Sequence, residues 1–210
     1  YLVAPLGELP VAAMGIAATI VAFVLGIEIA IGNGIQLLVG RAFGSNSRED
    51  LAVAYWSGLF INGLTSLVFL FVLHLFSTEI VASITDNPVL ASLTESYLST
   101  TQYIVLLTAY TQVCTAFCNG SGKTQVPLKG FMIELPVNAL LSYLLINGFG
   151  DYSGLGLEGA AWGSLIAVLL RTIFLYVAMK ADDRINLTYP SHRHFWAELR
   201  PQYSQIYPIA

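Results

Sequence analysis

Charge is what this chain has least of. Only 10% of its 210 residues are Asp, Glu, Lys or Arg, where a soluble domain carries about 25%. So few charges make a water-facing surface hard to build, and the expected surface faces lipid. Basic residues are the scarcer sign, with 9 Lys and Arg against 13 Asp and Glu, a net charge of −4. That balance argues against a nucleic-acid partner, which calls for a basic patch. Cysteine is limited to Cys114 and Cys118, one helical turn apart. The pair is too small for a disulfide framework or a metal site and reads as buried packing. The chain also lacks an initiator Met, and it lacks the basic start and cleavage site of a signal peptide. Opening at Tyr1 and stopping in the apolar run "IYPIA", it reads as a piece of a larger protein. No Ser/His, paired-Asp or metal-ligand set stands at a common depth, so an enzyme is not expected.

What the chain has in excess is apolar length. Its residues are 56% hydrophobic, and its mean hydropathy is +0.69. A bilayer core takes about 20 apolar residues per helix. Five stretches meet that length, at about 9–39, 53–76, 97–118, 128–147 and 157–179. The connectors "GSNSRED", "STEIVASITDNP", "NGSGKTQVP" and "NGFGDYSGLG" carry turn and cap residues. The expected fold is therefore all-α, a polytopic transmembrane helical bundle over 1–185. Residues 186–210 would be a cytoplasmic linker that ends in the start of a further span.

The positive-inside rule sets the orientation. Arg41 and Arg48 lie after the first span, Lys123 and Lys129 flank the connector after the third, and Lys180, Arg184, Arg193 and Arg200 follow the fifth. The other two connectors hold only Glu79, Asp86, Glu95, Asp151 and Glu158. This strict alternation puts the start outside and the tail in the cytoplasm of an inner or plasma membrane protein. It also places the sequons at Asn119 and Asn186 on the side where glycosylation does not occur.

"NGSGKTQVP" invites a nucleotide-binding reading. A phosphate-binding loop needs a glycine five residues before Gly122, where this chain has Phe117, and a strand running into the loop. The long apolar run before it fits a helix instead.

Ionisable residues inside a membrane are functional candidates by default. Four fall in the spans: Glu28, His74, Glu134 and Arg171. His74 lies near the outer end of its span and reads as interfacial. Glu134, Asn138 and Ser142 stand at i, i+4 and i+8, on one helical face. Pro136 between them lacks an N–H and is expected to kink the span and free the Met132 carbonyl. A carboxylate, an amide and a hydroxyl beside loosened backbone can coordinate a small cation or hold a proton; the same seam can also glue helices together. In the third span Thr101, Thr108, Gln112, Thr115 and Asn119 fall within about 60° of one another at helical spacing. That stripe faces either a cavity or another helix. Glu134 and Arg171 lie at similar depths, about seven and about nine residues from the cytoplasmic ends of their spans at 1.5 Å per residue. Arg171 is accordingly a candidate for a structural ion pair. Glu28 is a mid-span carboxyl group that needs a partner. Gly156, Gly159, Ala160, Gly163, Ser164 and Ala167 make a small-residue face that lets a helix approach closely.

Taken in order, "GNGIQLLVGRAFGSNSRED", "NGSGKTQVPLKG", "NALLSYLLINGFG" and "GLGLEGAAWGSLIA" resemble the multidrug and toxic compound extrusion (MATE) transporters. Gln36, Gly40 and Gly44 stand where that family has them, at the end of its second helix and in the following loop. The resemblance covers essentially the whole chain. It implies a partial six-helix lobe, the second to sixth helices, of a two-lobe antiporter. Such a protein exports organic cations or drugs in exchange for sodium ions or protons by alternating access. The expected partners are an organic cation substrate, the lipid bilayer and the second lobe of the full-length chain, with no cofactor beyond the coupling ion. Asn138 matches a family asparagine, whereas Ser142 departs from the Asp or Asn often found one turn later. Glu134 is not called for by the family pattern, and the family's first-helix carboxylate would fall just before Tyr1. The coupling or cavity candidates are therefore Glu134, Asn138, Ser142, Glu28, Gln112 and Thr108. A lipid-linked precursor flippase of the same superfamily is the alternative. Such proteins line their cavity with several basic residues, and Arg171 alone stands within the spans.

Overall fold

A computed structural model describes residues 2–148 and 153–181 of the chain. The expected linker at 186–210 and part of the last connector lie outside the described residues. Within them the chain is helical: a 3-10 turn at Ala4–Leu6, then α1 (Glu8–Gly44), α2 (Arg48–Ala82), α3 (Pro88–Thr101), α4 (Ile104–Gly120), α5 (Gln125–Asn147) and α6 (Leu157–Lys180). Four of these, α1, α2, α5 and α6, are long and apolar enough to cross a membrane, while α4 is a shorter apolar helix. Large side chains such as Phe23, Phe71, Met132 and Leu135 stand exposed on them, as a lipid-facing surface requires.

Local chemistry sets the ends. Gly7, at φ 107°, stops the opening turn, and Glu8 then sits in the first turn of α1 with Arg41 in its last. Both charges complement the helix dipole. The Ser47 hydroxyl accepts the Asp50 N–H at 3.3 Å at the start of α2. Asn87 caps α3 by accepting the Val89 and Leu90 N–H groups at 3.0 and 3.2 Å, with Pro88 next to it where a missing N–H costs nothing. After α4 the Lys123 N–H returns to the Cys118 carbonyl at 2.7 Å through Gly122 at φ 78°. The "GSGK" stretch is thus the left-handed glycine stop of one helix before the next begins. It follows a helix, not the strand of a phosphate-binding loop.

The stretch 97–118, expected as one span, is interrupted. α3 stops at Thr101, and α4 starts at Ile104. Between them the backbone tightens to i→i+3 bonding, Tyr103 N–H to Thr100 at 3.4 Å and Val105 N–H to Gln102 at 3.2 Å. α2 also departs from helical geometry locally, at Phe76 (φ −118°, ψ 16°). α5 runs through Pro136 as one helix.

The chain divides into two compact units. Among the described residues, the first takes 2–24, Leu67–Leu107, 132–148 and 153–170; the second takes Leu25–Ser66, Thr108–Phe131 and 171–181. In the first, α5 and α6 pack antiparallel. A Cβ on Gly163 would stand 2.5 Å from the Ser142 hydroxyl and 2.7 Å from the Ser142 backbone nitrogen, so only glycine permits this approach. In the second, the core gathers Ile35, Val39, Tyr55, Val113, Phe117, Leu175 and Met179. There α1 and α4 run parallel and close: a Cβ on Gly120 would meet the Gln36 carbonyl at 2.7 Å, and one on Gly32 the Gln112 carbonyl at 3.7 Å. The small-residue face of α6 is a packing surface against α5, through Gly159 and Gly163.

Candidate functional site

In the second unit α1 carries Glu28 into the interior, where its side chain is 0% exposed. α4, held close by Gly32, brings Thr108 opposite. The Thr108 hydroxyl donates to Glu28 Oε2 at 2.7 Å. The other carboxyl oxygen, Oε1, is equally buried and has no hydrogen-bond partner. One turn on, Thr111 donates its hydroxyl to the Thr108 carbonyl at 3.1 Å, which braces the backbone there. Gln112, also on α4, is half-buried, and its backbone carbonyl faces Gly32 of α1.

The same unit holds Arg171 of α6, which is buried, with its guanidinium 3.9 Å over the Phe131 ring. A cation over an aromatic face is stabilised electrostatically when water is excluded. Gly130 makes room for the arginine stem, since a Cβ there would stand 3.4 Å from Arg171 Cγ. On α4, Tyr110 and Cys114 hydrogen-bond with Tyr55 of α2. On α2, Asn62 is wholly buried and donates from Nδ2 to the Ala109 carbonyl at 3.1 Å, with Oδ1 left unsatisfied. Ser57 is buried with its hydroxyl oxygen unsatisfied.

In the first unit the seam of α5 is realised in part. The Ser142 hydroxyl donates to Asn138 Oδ1 at 3.1 Å, and Asn138 Nδ2 donates to Ser164 Oγ of α6 at 3.3 Å. Ser164 also reaches the Tyr97 hydroxyl of α3. This chain of amide and hydroxyls offers several oxygen donors in one place, the donor type that a hard cation takes. Glu134, one turn before Asn138, is half-buried. Pro136 is exposed and unbroken helix passes through it. His74 is exposed on α2.

Thr101 belongs to α3 and gives its hydroxyl to the Tyr97 carbonyl at 3.0 Å, so the polar stripe expected from Thr101 to Asn119 is not one helix face. The two sets of site residues therefore fall in different units: Glu28, Thr108, Gln112 and Arg171 in one, Glu134, Pro136, Asn138 and Ser142 in the other. Sequence reasoning missed Asn62, although a lone amide in the apolar run "FINGLTS" is a visible signal, and it took Ser164 for packing alone.

Known proteins supply the context for this geometry. A family model described as MatE matches residues 1–144. The probable multidrug resistance protein NorM of Bradyrhizobium diazoefficiens is 28% identical over 197 residues, 93% of this chain and 41% of that protein. The probable multidrug resistance protein YoeA of Bacillus subtilis is 22% identical over 152 residues, 72% of this chain and 33% of that protein. Among solved structures, an inward-facing multidrug resistance MATE family transporter matches with a TM-score of 0.84 at 16% identity, covering 98% of this chain and 48% of that one. The eukaryotic MATE transporter AtDTX14 matches with a TM-score of 0.83 at 18% identity, covering 98% of this chain and 45% of that one. At such identities the structural likeness speaks for the fold. The chain spans less than half the length of these relatives and structures.

Proposed function

The chain belongs to the MatE family, and from that premise we propose that it forms one lobe of a secondary transporter that exports organic cations or drugs in exchange for sodium ions or protons. The carrying observation is the part-buried seam Asn138–Ser142–Ser164, linked across two membrane-length helices by bonds of 3.1 and 3.3 Å. Polar groups at that position are costly in a bilayer unless they bond to each other or to a passing ion. Relatives called multidrug resistance proteins support the substrate class. On this reading the rest of the full-length chain supplies the second lobe, and the two lobes rock about a central cavity.

The orientation we infer puts the α1–α2 and α4–α5 connectors and the end of α6 in the cytoplasm, because Arg41, Arg48, Lys123, Lys129 and Lys180 lie in or next to them while the α2–α3 and α5–α6 connectors carry no Lys or Arg. A flippase for a pyrophosphate-linked lipid would call for a basic cavity. Among the described residues Arg171 is the one basic residue away from a helix end, and it stacks on Phe131.

The test is efflux of a fluorescent organic cation from pump-deficient cells that express the full-length protein or its Glu134→Gln variant at matched levels. Gradient-dependent efflux by the parent and its loss in the variant support antiport with Glu134 in the working cycle. Unchanged efflux in the variant removes Glu134 from it. A well-expressed parent that moves none of the cations overturns the substrate class.

A further inference from the structure

Glu28 is the one acidic side chain among the described residues that is wholly out of solvent. A single neutral hydroxyl, that of Thr108 at 2.7 Å, meets one of its oxygens, and nothing meets the other. An ionised carboxylate in that situation is held badly, because burial removes water and one donor does not replace it. The charged and titratable groups of the surrounding elements do not repair this. On α2 and α4, Tyr55, Tyr110 and Cys114 hydrogen-bond among themselves. On α6, the Arg171 guanidinium stacks on Phe131, and the side chain hydrogen-bonded to Glu28 is Thr108. The other buried polar side chains of the unit, Ser57, Asn62, Ser66, Thr111 and Ser121, are neutral.

We propose that Glu28 and Thr108 form a proton-binding site, with the proton on Glu28 Oε1 and the Thr108 hydroxyl as the positioning group on Oε2. Binding forms one O–H bond with a proton taken from water, and release returns it. A proton needs no coordination shell, whereas hard metal cations gather about six or more oxygens. Among the described residues, the one other oxygen hydrogen-bonded to the Glu28 carboxyl group is the Thr108 hydroxyl. The site is separate from the α5–α6 seam, which belongs to the other unit. This inference names the cation for one site of the proposed antiporter and rests on that reading only for the use the proton is put to.

The experiment is infrared spectroscopy of the purified full-length protein, read at the carbonyl stretch of protonated carboxyl groups. The expected result is a band that is sensitive to deuterium exchange, lost in Glu28→Gln and retained in Glu134→Gln. Thr108→Val should keep that band and move it to higher frequency, since it removes the bond to Oε2, and it serves where Glu28→Gln does not yield folded protein. A spectrum with no Glu28-dependent band overturns the proposal, as does a band that Thr108→Val leaves in place. Radioactive sodium binding provides the other arm: loss of one bound sodium ion per chain in Glu28→Gln would assign the site to sodium and overturn the proton. A Glu28 band in a protein that transports no organic cation would leave this site standing and remove the transport reading alone.

Discussion

Thr108 gives its hydroxyl to Glu28 across 2.7 Å and across 80 residues of sequence, joining α4 to α1 in the interior of one unit. Among the described residues, it is the one hydrogen bond that the Glu28 carboxyl group receives. Replacing Thr108 with Val keeps the shape and removes the donor, leaving a buried carboxyl group with neither oxygen bonded. Such a loss costs about 1–3 kcal/mol. The expected outcome is a lower melting temperature of the purified full-length protein in detergent for Thr108→Val, and near-parent melting for Thr108→Ser. Equal melting of Val and Ser variants would show that the bond contributes nothing.

Glycines at the helix contacts make a second, graded prediction. A Cβ on Gly163 would press on the Ser142 hydroxyl and backbone at 2.5 to 2.9 Å, while one on Gly26 would meet nothing within 4 Å. Overpacking of that kind costs about 1–3 kcal/mol, and alanine in an open helix position is favoured over glycine by roughly 0.5–1 kcal/mol. Gly163→Ala should therefore lower the melting temperature and Gly26→Ala should hold or raise it. Reversal of that order would contradict the close α5–α6 approach.

Asn138 holds hydroxyls on both sides, accepting from Ser142 and donating to Ser164. Asn138→Leu removes both bonds, and Ser142→Ala removes one. Efflux at matched expression should fall further in the first variant than in the second. Full activity in Asn138→Leu would leave the seam with packing as its only role.

Orientation is tested by cysteine labelling from outside intact cells, in a background where Cys114 and Cys118 are replaced by serine. A membrane-impermeant maleimide should label Asp86→Cys and leave Lys123→Cys unlabelled until the cells are opened. The opposite pattern would invert the topology.

Much of this architecture was legible in the sequence, for reasons that differ from residue to residue. The spans at 9–39, 53–76, 128–147 and 157–179 fall inside α1, α2, α5 and α6, because apolar length is a local property that a bilayer reads directly. Gly122 announced its turn, since few other residues accept φ 78°. The break at Gln102–Tyr103 left no such mark. It is a local switch to i→i+3 bonding in "STTQYIV", a stretch without Gly or Pro. Glu28 and Thr108 each stood out as polar groups in apolar segments, but nothing local says that residues 80 apart are partners. Ser164 looked like one more small residue in "AAWGSLIA", and its bond to Asn138 depends on how two helices meet.

The central claim is that the full-length protein moves organic cations against an exchanged ion. The most direct measurement reconstitutes it into liposomes loaded with a fluorescent organic cation and imposes sodium and proton gradients separately. The account predicts movement of the cation driven by an opposing gradient of one of these ions, and absent when that gradient is collapsed by an ionophore. Folded, correctly inserted protein that moves no organic cation under either gradient would contradict it.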